Sequence, residues 1–359
     1  MEIRYQEIKA IILNEIQGMM PDTRLDSRPD LCKRLETTRT TLDRAIAELV
    51  GEGFLYSQNG SGTYVNHPKR RETTLNTERW GVIVPSVTEN IYSEILSGVE
   101  VVASGQNINV LLSNSDGDMD RQKRCIQRMK DCVTGMIIVP AICKTAHEGY
   151  QLFKQLEDAK IPFVFCNRGL EGVEAPVVTS NDFYGGYIAT RHLIEKGYKK
   201  IAYLSKIRYE TSLQRCHGYI TALMEAGIEI DRKLIVLQEK GRKNLPGYDS
   251  MKRFFALDRG LDAVFCFNDL LIPGVLQAAQ EQNMRIPQDM GIIGYDNSPI
   301  CEAQRPKITS VSYQSRQIGA KAAEILMKLI SGQYHSDFDL YLFQPEIVER
   351  ESTIERSYV

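Results

Sequence analysis

Residues 25–65, LDSRPDLCKRLETTRTTLDRAIAELVGEGFLYSQNGSGTYV, contain signals for two helices and a hairpin in close succession. Ser27 is a preferred capping residue and Pro29 is tolerated in a first turn, so the sequence predicts a helix over residues 28–35. A longer helix is predicted to begin at Thr37 or Thr38. Its apolar residues recur at helical spacing: Leu42, Ala45, Ile46, Leu49 and Val50. The same spacing predicts a first helix upstream, from Ile8, Ile11, Ile12, Ile16 and Met19.

Two strand-like runs, 54–57 and 62–65, follow the third predicted helix and flank Asn59-Gly60. That dipeptide favours a tight hairpin turn. Two helices joined by a short turn are typical of a helix-turn-helix, in which the second helix enters the major groove of DNA. The hairpin would form a wing beside that helix. The sequence therefore predicts a small winged helix-turn-helix domain.

Polar side chains occupy the N-terminal half of the third predicted helix. Arginine can bond both acceptors of guanine, threonine can contact the thymine methyl group, and helix N-termini favour phosphate. The residues expected to contact DNA are Arg28, Thr38, Arg39, Thr40, Arg44, Asn59, Gly60 and Ser61. Net charge does not separate this interpretation from a helical protein-interaction module with a hairpin, because residues 1–71 hold 11 Lys and Arg against 10 Asp and Glu.

Residues 3–66 resemble the GntR-type winged-helix domain. The resemblance lies in Thr38-Arg39-Thr40-Thr41-Leu42, in the step to Gly53-Phe54-Leu55, and in the wing sequence 59–65. It implies that Arg39 and Gly60 meet DNA. Two positions depart from the family pattern, because Pro29 replaces a common arginine and Asp43 stands where many members have a second basic residue. Asp43 is four residues after Arg39 and could orient it or accept from a cytosine amine.

Composition bounds the remaining classes of function. The 359 residues exceed one ordinary domain, and 43% apolar with 25% charged residues is a globular profile. No run approaches the roughly 18 apolar residues of a membrane span, and the N-terminus is unlike a secretion signal, so we expect a cytoplasmic protein without membrane contact. Eight scattered cysteines and five histidines show no metal spacing or catalytic triad. We therefore expect free thiols, no metal, no cofactor and no enzymatic activity.

The chain organisation predicted from pattern is a DNA-binding domain at 1–68, a polar linker at 69–79 and a larger domain at 80–359. From Trp80 onward short apolar runs alternate with helical stretches in two successive sets. This alternation predicts an α/β domain with two parallel sheets and hence two lobes. Open α/β sheets bind ligands at the carboxyl ends of their strands, so the cleft between the lobes is the expected pocket.

Polar residues follow several of these predicted strands. Asn167, Asn268 and Asp296 each stand at a strand end, and Arg215 lies on a predicted helix. Amides, carboxylates and an arginine can form the directional hydrogen bonds that sugar hydroxyls require, and an aromatic such as Tyr92 or Tyr313 can cover an apolar sugar face. The pattern indicates a neutral polar ligand. A strand-end Asp is also a common helix cap, so each position alone is ambiguous.

Residues 80–355 resemble the LacI-type effector domain, which is similar to the periplasmic sugar-binding proteins. The resemblance lies in Val84-Pro85-Ser86 through Tyr92, Phe267-Asn268-Asp269, and the run 293–299. It implies a two-lobed periplasmic-binding-protein-like fold. It also implies that Arg215 and Asp296 bond effector hydroxyls. The full set expected to contact the effector is Ser86, Tyr92, Asn167, Arg215, Asn268, Asp296 and Tyr313. Asn167 departs from the common aspartate.

A GntR-type head on a LacI-type body is the arrangement of the arabinose-responsive repressors of bacteria. This resemblance implies a sequence-specific repressor, released from operator DNA by a small sugar, with L-arabinose as the first candidate. We expect a homodimer on an inverted repeat, since two-fold symmetric proteins bind palindromes. The residues leave three alternatives open. The sugar could act as a co-repressor, the protein could activate transcription, or it could be a sugar-binding receptor or enzyme without DNA function.

Overall fold

The computed structural model divides the chain into two compact units, residues 1–76 and 77–359, each with its own hydrophobic core. The structure describes residues 2–16, 19–20, 22–58, 61–66, 78–143, 145–206, 209–239, 244–257, 260–334 and 339–356. The predicted DNA contacts Asn59 and Gly60 lie outside these residues, as does most of the predicted linker. Arg79, the last residue of that linker, begins the first strand of the second unit.

The first unit is a winged helix-turn-helix. Its elements are α1 (Glu2–Ile16), α2 (Arg28–Arg34), α3 (Arg39–Gly51) and a hairpin of β1 (Leu55–Gln58) and β2 (Gly62–Val65). Ser27 caps α2 by accepting from the Asp30 amide, and Thr38 caps α3 by accepting from the Thr41 amide. The core joins one face of each helix to the hairpin: Ile8, Ile12, Ile16, Leu31, Leu42, Ala45, Ile46, Leu49, Leu55 and Val65. This part of the predicted fold is confirmed.

The second unit has two lobes, each built on a six-stranded sheet. The sheet of the first lobe has the spatial order β13 (Leu340–Phe343), β7 (Val177–Ser180), β6 (Phe163–Cys166), β5 (Gly135–Ile138), β3 (Arg79–Val84) and β4 (Asn109–Asn114). All of its pairings are parallel. Helices α5 (Met119–Met129) and α6 (Ala146–Asp158) cover one face, where Phe153 packs against Phe163 and Phe165.

The second lobe has the spatial order β14 (Glu346–Val348), β12 (Thr309–Ser312), β11 (Gly291–Asp296), β10 (Ala263–Cys266), β8 (Ile201–Leu204) and β9 (Ile235–Val236). Only β14 runs antiparallel to its neighbour. The helices of this lobe are α7 (Asp182–Glu195), α8 (Glu210–Glu225), α9 (Tyr248–Ala256), α10 (Ile272–Glu281) and α11 (Pro299–Ala303). The prediction of two α/β lobes with parallel sheets is confirmed. The antiparallel edge strand β14 was not predicted.

The chain passes between the lobes three times. It crosses after β7, returns after β12, and crosses again after β13. The returning segment supplies α12 (Ser315–Ile330), which packs against α4 (Asn90–Gly105) in the first lobe. The alternation of strands and helices predicts two lobes but does not show that residues 315–343 complete the first lobe from the far end of the chain.

Two glycines allow α4 and α12 to approach closely. A Cβ added at Gly98 would lie 2.0 Å from the carbonyl oxygen of Arg316, and one added at Gly319 would lie 2.0 Å from that of Ile95. Both obstacles are backbone atoms, which cannot rotate away. Helix backbones meet at this crossing only because neither position carries a side chain.

Gly98→Ala is expected to destabilise the second unit by about 1–3 kcal/mol or more, because the added methyl group forces the two helices apart. Gly105→Ala is the matched control. It lies in the same helix with nothing within 4 Å of the added Cβ, and it should be neutral or stabilising by up to about 1 kcal/mol. Urea unfolding followed through Trp80, the single tryptophan, measures both variants. Equal midpoints for the two would contradict this packing.

Candidate DNA-binding surface and effector cleft

The N-terminal turn of α3 presents two of the predicted DNA contacts to solvent. The side chain of Arg39 is 80% exposed, and Thr40 beside it is also exposed. Thr38 has a different position, because its hydroxyl caps the helix and lies 2.9 Å from the Thr41 hydroxyl. Thr38 therefore fixes where α3 begins, which in turn places Arg39 and Thr40 at the helix start.

Arg28 links three elements of the first unit. Its Nε donates to Asp43 Oδ1 on α3 at 2.9 Å, and its Nη2 donates to the Thr63 hydroxyl on the wing strand β2 at 3.1 Å. The second carboxylate oxygen of Asp43 lies 3.7 Å from Nε of Arg39. Asp43 thus stands between two arginines predicted to contact DNA, and sequence reasoning anticipated only the pairing with Arg39.

Arg44 is engaged within the unit. Its guanidinium carbon lies 4.1 Å from the centroid of the Tyr5 ring on α1, within cation–π distance. Ser61 is half-buried and directly precedes the wing strand β2. Among the predicted contacts that the structure describes, Arg39 and Thr40 are therefore the most available to a partner, and Arg44 would have to leave Tyr5 to reach DNA.

A cavity of about 580 Å³ lies between the lobes of the second unit, at the carboxyl ends of the strands; it is called the cleft cavity below. Its lining includes five of the seven predicted effector contacts: Tyr92, Asn167, Arg215, Asn268 and Asp296. These residues come from both lobes, and the first and last of them are more than 200 positions apart in the sequence. The three lobe crossings bring them to one place.

Arg215 is the most enclosed charged group of the cleft, with a side chain only 2% exposed. Its Nε donates to Asp182 Oδ1 at 2.7 Å and its Nη1 donates to the Phe267 carbonyl oxygen at 2.6 Å. Its guanidinium carbon lies 3.5 Å from the centroid of the Tyr295 ring. A buried cation held by a carboxylate, a carbonyl and an aromatic face has a fixed orientation.

Asp296 ends β11 beside that guanidinium, with its Oδ1 3.7 Å from Nη1 of Arg215. This Oδ1 is buried and has no hydrogen-bond partner among the described residues. Burial raises the pKa of Asp296 well above its ordinary value, against the opposing charge of Arg215. Its φ of 98° and that of Asn297, 50°, are in the left-handed region, which is sparsely populated and often found at ligand sites. Asn268 also lines the cavity and makes no side-chain capping bond.

Asn167 lies at the end of β6 in the left-handed region, with φ 67°. Its Nδ2 donates to the hydroxyl of Tyr313 at 2.8 Å, and that hydroxyl lies 3.1 Å from the Thr179 hydroxyl. Tyr313 is fully buried and does not line the cleft cavity. The structure corrects its predicted role, because the ring is enclosed behind Asn167 and supports that amide instead of facing the effector.

Ser86 also does not line the cavity. Its hydroxyl accepts from the backbone amides of Thr88 and Glu89, each at 3.3 Å. The side chain therefore holds the loop ahead of α4 and has this structural use instead of the predicted effector contact. A serine followed by a helix start gives the same sequence signal for either role.

Several lining residues were not in the predicted set. Arg168 donates through Nε to the Pro140 carbonyl oxygen at 2.8 Å and through Nη1 to Asn167 Oδ1 at 2.7 Å. Its guanidinium carbon lies 5.6 Å from the centroid of the Tyr209 ring, which comes from the other lobe. Glu89 also lines the cavity, and burial raises its pKa against the charges of Lys206 and Arg168. Arg168 directly follows Asn167 at the same strand end, whereas no local feature of the sequence indicates a role for Tyr209.

The described part of the chain meets neither the requirements of a metal site nor those of a membrane-spanning helix. No group of three or more His, Cys, Asp or Glu side chains there could hold a metal ion, and the eight cysteines are free thiols. No helix among the same residues is long and apolar enough to cross a membrane.

Comparison with known proteins agrees with both units. Residues 4–65 match the gntR family of bacterial regulatory proteins, and residues 190–353 match a periplasmic binding protein-like domain. The arabinose metabolism transcriptional repressor of Geobacillus stearothermophilus is 26% identical over 98% of both chains. The HTH-type transcriptional repressor PurR of Vibrio atlanticus is 31% identical over 88% of this chain and 89% of its own. A LacI family regulator from Enterococcus faecium, crystallised with bound ribose, has a TM-score of 0.64 at 28% identity, covering 78% of this chain and all of that one.

A chain that carries a winged helix-turn-helix and a two-lobed cleft domain is a DNA-binding regulator with an effector-binding unit. This chain belongs to the family of bacterial helix-turn-helix transcriptional regulators, with a gntR-type DNA-binding unit and a LacI-type effector unit. It is a transcription regulator and not an enzyme.

Arg39→Ala is expected to weaken operator binding by about 1–3 kcal/mol, roughly 5- to 150-fold, because an exposed arginine at the start of the recognition helix can bond a guanine bidentately. Arg44→Ala removes the same charge from a side chain already stacked on Tyr5 and should cost less. Electrophoretic mobility shifts with a selected operator compare the two. An equal or larger loss for Arg44→Ala would contradict this ranking.

Asp296→Asn is expected to raise the free energy of unfolding at pH 7 by about 1–3 kcal/mol, because it removes a buried charge with an unpartnered oxygen. The folded-state pKa of Asp296 is raised, so the native protein loses stability as pH rises from about 3.9, the unfolded-state value, towards that raised pKa. The gain should therefore grow with pH and disappear below about pH 4. Urea unfolding of both proteins from pH 4 to 8 measures it, and a gain independent of pH would refute the assignment.

Proposed function

We propose that the cleft cavity binds a small neutral sugar, with L-arabinose as the first candidate, and that this binding releases the protein from its operator. The observation that carries the proposal is the buried, unpartnered Oδ1 of Asp296 beside the fixed guanidinium of Arg215. An acceptor and a donor held this way suit adjacent hydroxyls of one sugar. Tyr92 and Tyr209 line the same cavity and can cover an apolar ring face.

The named relatives support this ligand class. One relative is an arabinose metabolism repressor, and a related LacI-family structure holds ribose. Arabinose and ribose are both pentoses, which favours a sugar of that size for this cavity. The cytoplasm, which holds the chromosome, is the compartment where such a regulator would act.

The DNA-bound form is proposed to be a homodimer on an inverted repeat. A recognition helix and wing of this size contact one half-site, and two copies related by a two-fold axis match two half-sites. The contacts proposed for each half-site are Arg28, Thr38, Arg39, Thr40, Arg44, Asn59, Gly60 and Ser61, with Arg39 and Thr40 closest to the bases.

Release of the operator follows from thermodynamic linkage between sugar binding and DNA binding. A sugar bonded to residues of both lobes, such as Asn167 and Asp296, stabilises the closed arrangement of the lobes. If closure and operator binding favour different states, a coupling of about 1–3 kcal/mol changes operator affinity about 5- to 150-fold. The same coupling requires operator DNA to weaken sugar binding equally.

Selection of the purified protein on random-sequence DNA, with and without single pentoses and hexoses, tests the proposal. We expect a palindrome whose enrichment one sugar abolishes. Asp296→Asn is the matched variant, and it should select the same palindrome while losing the sugar response. A palindrome strengthened by sugar would show co-repression, and one unaffected by every sugar would remove the cleft assignment.

Analytical ultracentrifugation with and without that palindrome tests the oligomeric state. Two chains per palindrome are expected. One chain per DNA duplex at all protein concentrations would refute the dimer.

A further inference from the structure

A second cavity of about 880 Å³ adjoins the cleft cavity on the side where the chain crosses between the lobes; it is called the hinge-side cavity here. The two cavities share a wall of five residues: Ile142, Asn167, Arg168, Tyr209 and Thr211. Arg168 on Tyr209 forms the part of this wall that joins the lobes. The hinge-side cavity is therefore adjacent to the proposed sugar site, and these five residues form the boundary between the two.

Part of the hinge-side cavity is lined by apolar side chains at the edge of the first-lobe sheet, where none of the described helices covers them. Leu340 and Leu342 on the edge strand β13 are 54% and 46% exposed, although their neighbours Tyr341 and Phe343 pack on the opposite face. Helices α5 and α6 cover the same face farther along the sheet. Phe183 from the second lobe completes the apolar surface.

Both cavities have mixed linings. The cleft cavity presents Arg215, Asp296 and Asn268, which suit hydroxyls, whereas the hinge-side cavity presents the apolar side chains of Leu340, Leu342 and Phe183 beside polar residues that include the acids Glu171, Asp182 and Glu210. Arg168 spans the boundary and is held by two hydrogen bonds within the first lobe. A molecule that uses both surfaces has a polar ring at one end and an apolar group at the other.

We propose that the effector site extends into the hinge-side cavity and takes a glycoside, with the sugar in the cleft cavity and an uncharged aromatic aglycone against Leu342 and Phe183. This rests on the proposed function of the cleft cavity. Burying an aromatic ring there raises affinity over the methyl glycoside by at least about 10-fold, at the usual gain per apolar area. The aglycone contacts both lobes, so it also strengthens the release of DNA.

Isothermal titration of the full chain with the methyl and the 4-nitrophenyl glycosides of the sugar found by DNA selection, in both anomers, tests the aglycone site. One 4-nitrophenyl anomer is expected to bind at least 10-fold more tightly than its methyl counterpart. Leu342→Asp should abolish this difference and leave methyl glycoside affinity unchanged. Met224→Asp, at an exposed apolar position outside both cavities, is the control and should keep the difference.

The outcomes separate this inference from the function it rests on. Tight methyl glycoside binding without a 4-nitrophenyl gain, or a gain that survives Leu342→Asp, overturns the aglycone site and leaves the sugar site intact. If no free sugar or methyl glycoside binds, the proposed sugar function has failed. Titration with 4-nitrophenol alone then tests the hinge-side cavity directly, and equal binding by native protein and Leu342→Asp refutes it. Leu342→Thr repeats the test if the aspartate variant does not fold.

A separate observation concerns Asp43 in the first unit. This carboxylate is 48% exposed on the recognition helix and lies 2.9 Å from Arg28 and 3.7 Å from Arg39. A negative charge at a DNA-facing position repels phosphate wherever the protein sits on DNA. At a matching base pair it can instead accept from an amino group of cytosine or adenine.

We infer that Asp43 is a specificity residue that penalises random DNA more than the operator. On random DNA its charge offsets one of the two neighbouring arginines, so fewer counterions are released on binding. On the operator it holds Arg39 for a guanine and bonds the adjacent base amine. The arginines alone would bind all sequences more tightly and distinguish them less.

Asp43→Asn and Asp26→Asn provide a matched test, because both remove one exposed acid of the first unit that lies near an arginine. For Asp43→Asn we expect tighter binding to random DNA, a salt dependence steeper by about one unit, and relaxed preference at one base pair in a selection. Asp26→Asn should leave the operator preference unchanged. A fold defect would weaken both kinds of binding, so it gives the opposite result. Equal effects of the two variants, or an unchanged preference with Asp43→Asn, would overturn the inference.

Discussion

The ion pair between Arg215 and Asp182 organises the ligand-binding unit. Asp182 is the first residue of α7, directly after the first lobe crossing, and Arg215 lies on the neighbouring helix α8. Taking both charges out of water is costly, and the cost is offset only because the geometry is good and further bonds satisfy the guanidinium. The same side chain then reaches the ends of β10 and β11 through Phe267 and Asp296. The buried guanidinium of Arg215 therefore holds together the first lobe crossing, the pair of helices α7 and α8, and the strand ends that line the cleft cavity.

Close helix packing makes that placement possible. A Cβ at Gly186 would lie 2.1 Å from the carbonyl oxygen of Arg215, and one at Gly218 would lie 2.0 Å from that of Phe183. Helices α7 and α8 thus touch through their backbones beside the ion pair. The first lobe has the same arrangement between α4 and α12. Rigid lobes are the condition for a hinge, because a soft lobe would absorb the strain of ligand binding instead of transmitting it.

Local sequence signals predicted most elements but failed where distant segments meet. The cap Ser27, the start of α3 near Thr38, its helical spacing and the alternation from Trp80 onward depend on neighbouring residues and are predicted correctly. The pattern did not show that residues 315–343 return to the first lobe, since no local feature distinguishes a helix of one lobe from a helix of the other. The residues of the candidate site were likewise predicted only as far as local signals reach. Strand-end polar residues such as Asn268 line the cleft, whereas Tyr313 and Ser86 carried similar signals and are directed elsewhere by packing and by backbone amides.

The late return of the chain also bears on how the protein is made on the ribosome. The first lobe lacks its edge strand β13 and the helix α12 until residue 343 has been synthesised, although its other strands are complete by residue 180. The face of α4 that α12 covers, together with the open edge of β7, is exposed throughout synthesis of the second lobe. Non-local pairings of this kind slow folding and leave apolar surface open to aggregation. The nascent chain must therefore keep an unfinished first lobe soluble while the second one is built.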